Sequence, residues 1–244
     1  MKLRLGAAVL AAALIPLTAV TTSSPASAGV DTTPPEVGSC HDLTMAEGYD
    51  ESDPDPAVDC AGPHTSITVA VVELEQAPDW TDPSSYPDSV WRTCGNAFEL
   101  ALGDNPKLIR RSAHTWFWFM PTRVQREAGA LWVRCDLTLL GGDRLLKLPQ
   151  ELVLGGLPLP NAVAKCRQGK RADYAYTACS QPHQFRATLS IRYPHSSYPG
   201  PRAAKRFALR KCRARATSVF FYEYVGTRAA WRNGYRHAVC LYKD

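Results

Sequence analysis

The chain has 244 residues, 21% of them charged, with a formal net charge of +5 and eight cysteines. The small net charge hides two opposite halves. Gly29 to Leu157 holds 9 Lys+Arg against 20 Asp+Glu, a net of −11, whereas Pro158 to Asp244 holds 17 against 3, a net of +14. Such asymmetry bears on partners and association rather than on fold, and it excludes reading the chain as uniformly basic.

The N-terminus reads as a targeting segment. Lys2 and Arg4 precede an apolar run from Leu5 to Val20, and Ala26-Ser27-Ala28 offers a small-residue cleavage site. Cleavage after Ala28 is expected, so residues 1–28 are assigned as a signal peptide. The apolar run holds Pro16 and falls short of the ~20 residues that a bilayer span needs. No later run is long enough, so no transmembrane segment is expected after cleavage. Export also gives the cysteines a meaning. An even number in an oxidising compartment reads as a disulfide framework.

The chain then writes one pattern twice. Cys60-Ala61-Gly62-Pro63-His64 returns 119 residues later as Cys179-Ser180-Gln181-Pro182-His183. Cys40, Cys60, Cys94 and Cys135 precede Leu157; Cys166, Cys179, Cys212 and Cys240 follow it. The second and third cysteines of each set are 34 and 33 residues apart, and Ser84-Ser85-Tyr86-Pro87 matches Ser196-Ser197-Tyr198-Pro199. Thr122-Arg123 and Thr227-Arg228 lie 12 residues (from the arginine) before the last cysteine of each set, and Gly129 and Gly234 six residues before it. A fixed internal repeat decides architecture before local propensity does. The division is a first repeat over 29–143, a linker over 144–161 and a second repeat over 162–244. Four cysteines per repeat allow three pairings each. The short Cys40–Cys60 and Cys166–Cys179 intervals suit hairpin-adjacent bridges, leaving Cys94–Cys135 and Cys212–Cys240.

In chain order, Gly29 to Ser39 reads as a flexible lead-in. The stretch up to Asp59 carries Asp42, Glu47, Asp50, Glu51, Asp53 and Asp55 around Pro54 and Pro56. A calcium loop is the sharper reading, but the glycine and terminal glutamate of an EF-hand are missing, and a solvated acidic loop is expected. Thr65 to Leu74 is rich in β-branched residues and reads as a strand, with Thr68, Ala70, Val72 and Leu74 as its inner face. In the second copy Phe185, Ala187, Leu189, Ile191 and Tyr193 alternate with polar residues, a strand with one buried face.

Pro87 opens a helix on which Val90, Trp91, Cys94, Phe98 and Leu102 recur at helical spacing, and Pro201 to about Ala216 behaves likewise. The second helix is strongly basic. Arg202, Lys205, Arg206, Arg210 and Arg213 follow an i, i+3, i+4 series and are expected to share one face. Two more strands close each copy. Thr115 to Phe119 is aligned with Phe220 to Tyr224, and Leu131 to Leu140 with Arg236 to Tyr242. The fold expected is α+β: two tandem disulfide-stapled repeats, each a small antiparallel sheet with one packed helix.

His64 and His183 are the evident catalytic suspects, but a cysteine held in a disulfide is no nucleophile. No Gly-x-Ser-x-Gly elbow, His-Glu-x-x-His pair or phosphate-binding glycine loop occurs. Zinc on Cys60-x3-His64 would need further ligands in closely spaced pairs, and no Cys-x2-Cys occurs; neither metal nor cofactor is expected. Pro63-His64 and Pro182-His183 are expected to fix the turn into the strand. The two Thr-Arg pairs read as turn residues, and Trp116 to Phe119 as core.

The Cys-x2-Pro-His stretch after a first cysteine, the helical cysteine and the glycine-then-cysteine ending resemble the septum formation-related domain of actinobacterial envelope proteins. The positions that match are Cys40, Cys60, Pro63, His64, Cys94, Gly129 and Cys135, then Cys166, Cys179, Pro182, His183, Cys212, Gly234 and Cys240. The resemblance implies an envelope or division role and no established reaction. Members are often membrane-tethered, whereas the cleavable signal here argues for a secreted, extracytoplasmic protein. The expected function is thus a non-catalytic, envelope-associated interaction module. Its basic repeat would meet an anionic wall polymer, a membrane surface or another envelope protein, and not nucleic acid. The alternative is a secreted hydrolase using His64 or His183 with Asp59 or Asp173.

Overall fold

A computed structural model of the chain describes residues 29–170 and 173–244; the signal peptide assigned to 1–28 lies outside them. Two five-stranded antiparallel sheets carry the fold. The first is built from β1 (Cys40–His41), β2 (Ser66–Glu73), β3 (His114–Phe119), β4 (Trp132–Leu140) and β5 (Leu145–Leu146), in the order β1-β2-β4-β3, with β5 paired to β4. The second uses β6 (Lys165–Gly169), β7 (Tyr174–Ala178), β8 (Phe185–Arg192), β9 (Phe220–Glu223) and β10 (His237–Lys243), in the order β7-β6-β8-β10-β9. One long helix packs on each sheet, α1 (Asp88–Ala101) on the first and, after the short α2 (Pro106–Ile109) and α3 (Arg123–Glu127), α4 (Pro201–Arg213) on the second. The architecture is α+β, with both sheets stapled by disulfides.

The staples join Cys40 to Cys60, Cys94 to Cys135, Cys166 to Cys179 and Cys212 to Cys240. In each repeat one bridge ties the long helix to the last strand, because Cys94 and Cys212 lie on the buried stripe of their helices.

Each strand after the Pro-His motif holds a bulge at the same place. Thr68 pairs with Asp136 and Ala70 with Cys135, leaving Val69 unpaired. In the second repeat Ala187 pairs with Leu241 and Leu189 with Cys240, leaving Thr188 unpaired. Val69 and Thr188 each follow their histidine by five residues. An extra residue turns the following side chains to the other face of the sheet. The single inner faces expected for these strands are therefore split: Ala70 and Val72 face α1, while Thr68 bonds to Asp136 on the opposite face. Ile191 and Tyr193 likewise face α4, and Phe185 and Ala187 pack with Val239 and Leu241.

The aromatic strands also align differently from the expectation. Trp118 stands opposite Cys135 and Tyr222 opposite Cys240, so Phe117 corresponds to Phe221, one residue off the alignment expected from the sequence. The Thr-Arg pairs open short helices. Thr122 N-caps α3 with a capping box to Gln125, and Thr227 N-caps α5 (Arg228–Arg232). Gly129 and Gly234, at φ +97° and +85°, end those helices in the left-handed conformation that a side chain disfavours.

The repeats share a core. Phe98, Leu102, Ile109, Leu137 and Leu139 of the first pack with Ala164, Cys166, Ala178 and Cys179 of the second. Leu148, Leu154 and Leu159, from the stretch read as a linker, are buried in the same cluster. Backbone bridges Ser112–Ala164 and Gly141–Thr177 cross the boundary. The lead-in is pinned too: Gly38 N–H donates to Thr68 O at 2.8 Å, and Gln125 Nε2 donates to Asp31 O at 3.1 Å.

Candidate functional site

The helix α4 buries Ala204, Phe207, Ala208 and Cys212 against its sheet, which is the stripe that fixes which side chains point outward. Arg202, Arg206, Arg210 and Arg213 are all exposed on the opposite side. No ion pair among the described residues involves any of them. Arg206, Arg210 and Arg213 rim a groove of about 600 Å³ with Ala203, Phe207, Leu209, Pro194 and His195. Lys205 departs from this group, lining a separate cleft with Arg167 and a set of tyrosines. The five cations expected on one face are thus divided four and one.

Among the described residues no carboxylate of the first half pairs with a basic side chain of α4. The repeats meet through the apolar cluster and backbone bridges described above. The side-chain hydrogen bonds and ion pairs between the two halves among the described residues are Arg232 to Asp88 at 3.1 Å, Arg144 to Gln181 at 2.7 Å, and Arg111 to the carbonyl of Thr188. The acidic loop spends one carboxylate inward. Asp53 is buried with Arg134 and His41, so this position is an internal ion-pair partner rather than part of a solvated loop.

The repeated histidines adopt one arrangement. His64 Nδ1 lies 3.0 Å from Gly62 O, and His183 Nδ1 lies 2.7 Å from Gln181 O. A carbonyl can only accept, so Nδ1 carries the proton in both rings. Each ring is tied to the turn two residues before it, and Pro63 and Pro182 fix the intervening backbone. Among the described residues neither aspartate expected for a catalytic pair hydrogen-bonds to His64 or His183. Asp59 Oδ1 accepts from Ala61 N–H at 2.9 Å, and the carboxylate beside His183 is Asp244, with Oδ2 3.0 Å from Nε2. Cys166, Cys179 and His183 lie close enough together to suggest a metal site, but both sulfurs are spent in one disulfide.

The aromatic strand β3 is divided between core and surface. Phe119 is buried, whereas Trp116, Phe117 and Trp118 are half-buried and line a cleft of about 450 Å³ with Tyr49, Asp50, Glu51 and Trp80. The second repeat repeats the feature at β9, where Phe221, Tyr222 and Tyr224 line the Arg167–Lys205 cleft. Neither cleft is evident from the sequence. The only signal was the aromatic run itself, which is equally a signal of core.

The geometry defines a disulfide-stapled α+β tandem whose accessible chemistry is a cationic helix and two aromatic clefts. The family model described as "Septum formation" matches residues 16–135, so that stretch is similar to a septum formation domain. The match ends at Cys135, the last cysteine of the first repeat; the second repeat is tied to the first by its matching cysteines, bulge and caps. No curated protein and no solved structure matches the chain.

Proposed function

We propose that this protein is a non-catalytic, exported module of the cell envelope that attaches to phosphate-bearing anionic surfaces through α4. The observation that carries the reading is the outward row of Arg202, Arg206, Arg210 and Arg213, which has no carboxylate partner among the described residues although the first half carries −11. A conflict between halves would have been resolved by docking acid on base; the apolar boundary leaves the row free for something else. Four disulfides accord with an extracytoplasmic setting, and the septum formation match supports an envelope role. No helix among the described residues is long and apolar enough to cross a membrane, which makes charge a natural means of attachment. The non-catalytic reading is supported by the cysteines beside His64 and His183, which are oxidised, and by the ring protons, which are held by backbone.

The experiment uses the chain from Gly29 to Asp244 with vesicles of phosphatidylglycerol and, separately, soluble poly(glycerol phosphate). Each basic side chain near an anionic surface contributes about 1 kcal/mol. Changing Arg202, Arg206, Arg210 and Arg213 to Gln should therefore weaken binding by roughly a hundredfold or more at low salt. A few hundred millimolar salt, where the Debye length falls to about 5 Å, should release the parent protein. Equal binding by parent and variant would refute the α4 reading, and turnover of wall fragments that is lost in His64→Ala or His183→Ala would refute the non-catalytic one.

A further inference from the structure

Both repeats place an arginine on the sheet face turned away from the long helix, and they treat it differently. In the first, Arg134 lies with its guanidinium carbon 4.7 Å from the Phe119 ring centre, and Nη2 meets Asp53 at 2.6 Å and Asp136 at 3.0 Å. In the second, Arg167 is sandwiched, 3.5 Å from the Phe221 ring centre and 4.1 Å from that of Tyr174. It is only 3% exposed, and its Nη1 has no hydrogen-bond partner. The positions of Asp136 and Arg134 on the last strand are taken here by Leu241 and Val239. Glu223, on the same face, is held by Lys165 at 3.2 Å. A buried cation is ordinarily paired, and this one faces a cleft of about 250 Å³ lined by Tyr174, Tyr176, Phe221, Tyr222, Tyr224 and Lys205.

We infer that this cleft is a ligand site in which Arg167 receives an oxyanion, a carboxylate or phosphate monoester, carried on a flat ring. Stacking on both faces leaves the guanidinium only its edge, and that edge presents N–H donors in the fork that matches two coplanar oxygens. Lys205, reaching from α4, adds a second, solvent-facing positive charge. Tyr174, Tyr222 and Tyr224 supply faces for a ring, and their hydroxyls supply polar contacts at the mouth. The ligand's oxygens would fill the role that Asp53 fills for Arg134. The aromatic cleft of the first repeat is lined by Asp50 and Glu51 and by no arginine or lysine, so it is not expected to take the anion. The inference does not depend on the outward row of α4, since only Lys205 belongs to this cleft.

The test is calorimetric titration of the full mature chain, disulfides intact, with phenyl phosphate and with benzoate; benzyl alcohol is the neutral control. One of the two anions should bind saturably with a Kd of roughly millimolar or tighter, which identifies the oxyanion, and benzyl alcohol should not bind. Arg167→Gln should weaken binding at least about tenfold, as loss of a charge-assisted fork does. Lys205→Gln and Tyr174→Ala alter exposed side chains and should each weaken it several-fold without affecting folding. The variant with Arg202, Arg206, Arg210 and Arg213 changed to Gln should keep it. No saturable binding of either anion overturns the inference. So does unchanged affinity in Lys205→Gln and Tyr174→Ala together, or an equal loss in the four-arginine variant.

Discussion

Asp53 Oδ2 stands 2.6 Å from Nη2 of Arg134, 81 positions further along the chain. The contact brings the acidic loop down onto the face of the first sheet that α1 leaves uncovered, where Arg134 also meets Asp136 and Asp136 accepts from Thr68 Oγ1 at 2.9 Å. Breaking one side of a buried pair leaves an uncompensated charge and costs about 3–5 kcal/mol. Asp53→Asn should lower the urea midpoint accordingly, while Asp55→Asn, two residues away and exposed, should stay within about 0.5 kcal/mol. Equal midpoints for the two variants would show that the pair does not hold the loop.

Stability should fall with acidification before carboxylates are titrated. His41, His114 and His237 are each depressed to about 4 from an ordinary 6.5, in every case chiefly by burial. The unfolded chain then binds more protons between those two values, so the stability is complete above about pH 6.5 and drains as the pH falls toward 4. Each group contributes up to about 1.4 kcal/mol per pH unit in that window. Asp136, which burial pushes up despite Arg134, acts in the opposite sense. Urea midpoints between pH 7.5 and 4.5 should show the loss, and His114→Leu should reduce the slope. A flat curve would contradict the neutral buried rings.

The two repeats should unfold together. Leu137 is fully buried in the cluster that spans the boundary, and Leu137→Ala should cost about 2–5 kcal/mol. The parent and the variant should each give a single calorimetric transition, with calorimetric and van't Hoff enthalpies in agreement. Two separated transitions would mean that the repeats are independent units. For the same reason Pro158–Asp244 produced alone should bind a hydrophobic dye, because Ala164 and Ala178 lose their cover.

The helix ends offer a test of backbone conformation free of packing. Nothing lies within 4 Å of a Cβ added at Gly129 or Gly234, so alanine there meets only the cost of positive φ, about 1–2 kcal/mol. Gly155→Ala, also in open space but without positive φ, should be neutral in the same thermal melt.

Non-reducing peptide mapping should recover the four bridges within repeats and none between them. Removing the bridge with the longest separation, 41 residues, by Cys94→Ala with Cys135→Ala should cost roughly 3–4 kcal/mol. A cross-repeat bridge would overturn the architecture.

What the sequence determined by itself was periodic and local. The cysteine spacing carried the repeat, period-2 and helical patterns placed β2, β8, α1 and α4, and Thr-x-x-Gln before Gly129 is the capping box of α3. These follow from side chains acting within one turn or one strand, where chain order and spatial order coincide. The bulges at Val69 and Thr188 were invisible because an inserted residue is defined only against its partner strand, and one residue suffices to exchange the faces. Tertiary structure alone decided that Asp53 is an internal counter-ion while its acidic neighbours stay in water. It decided likewise that Lys205 leaves the arginines of α4 for another cleft, and that Arg167 is buried without a carboxylate. Each of these depends on which distant segment covers a sheet face, and burial, which sets the cost of a charge, has no period that a sequence can display.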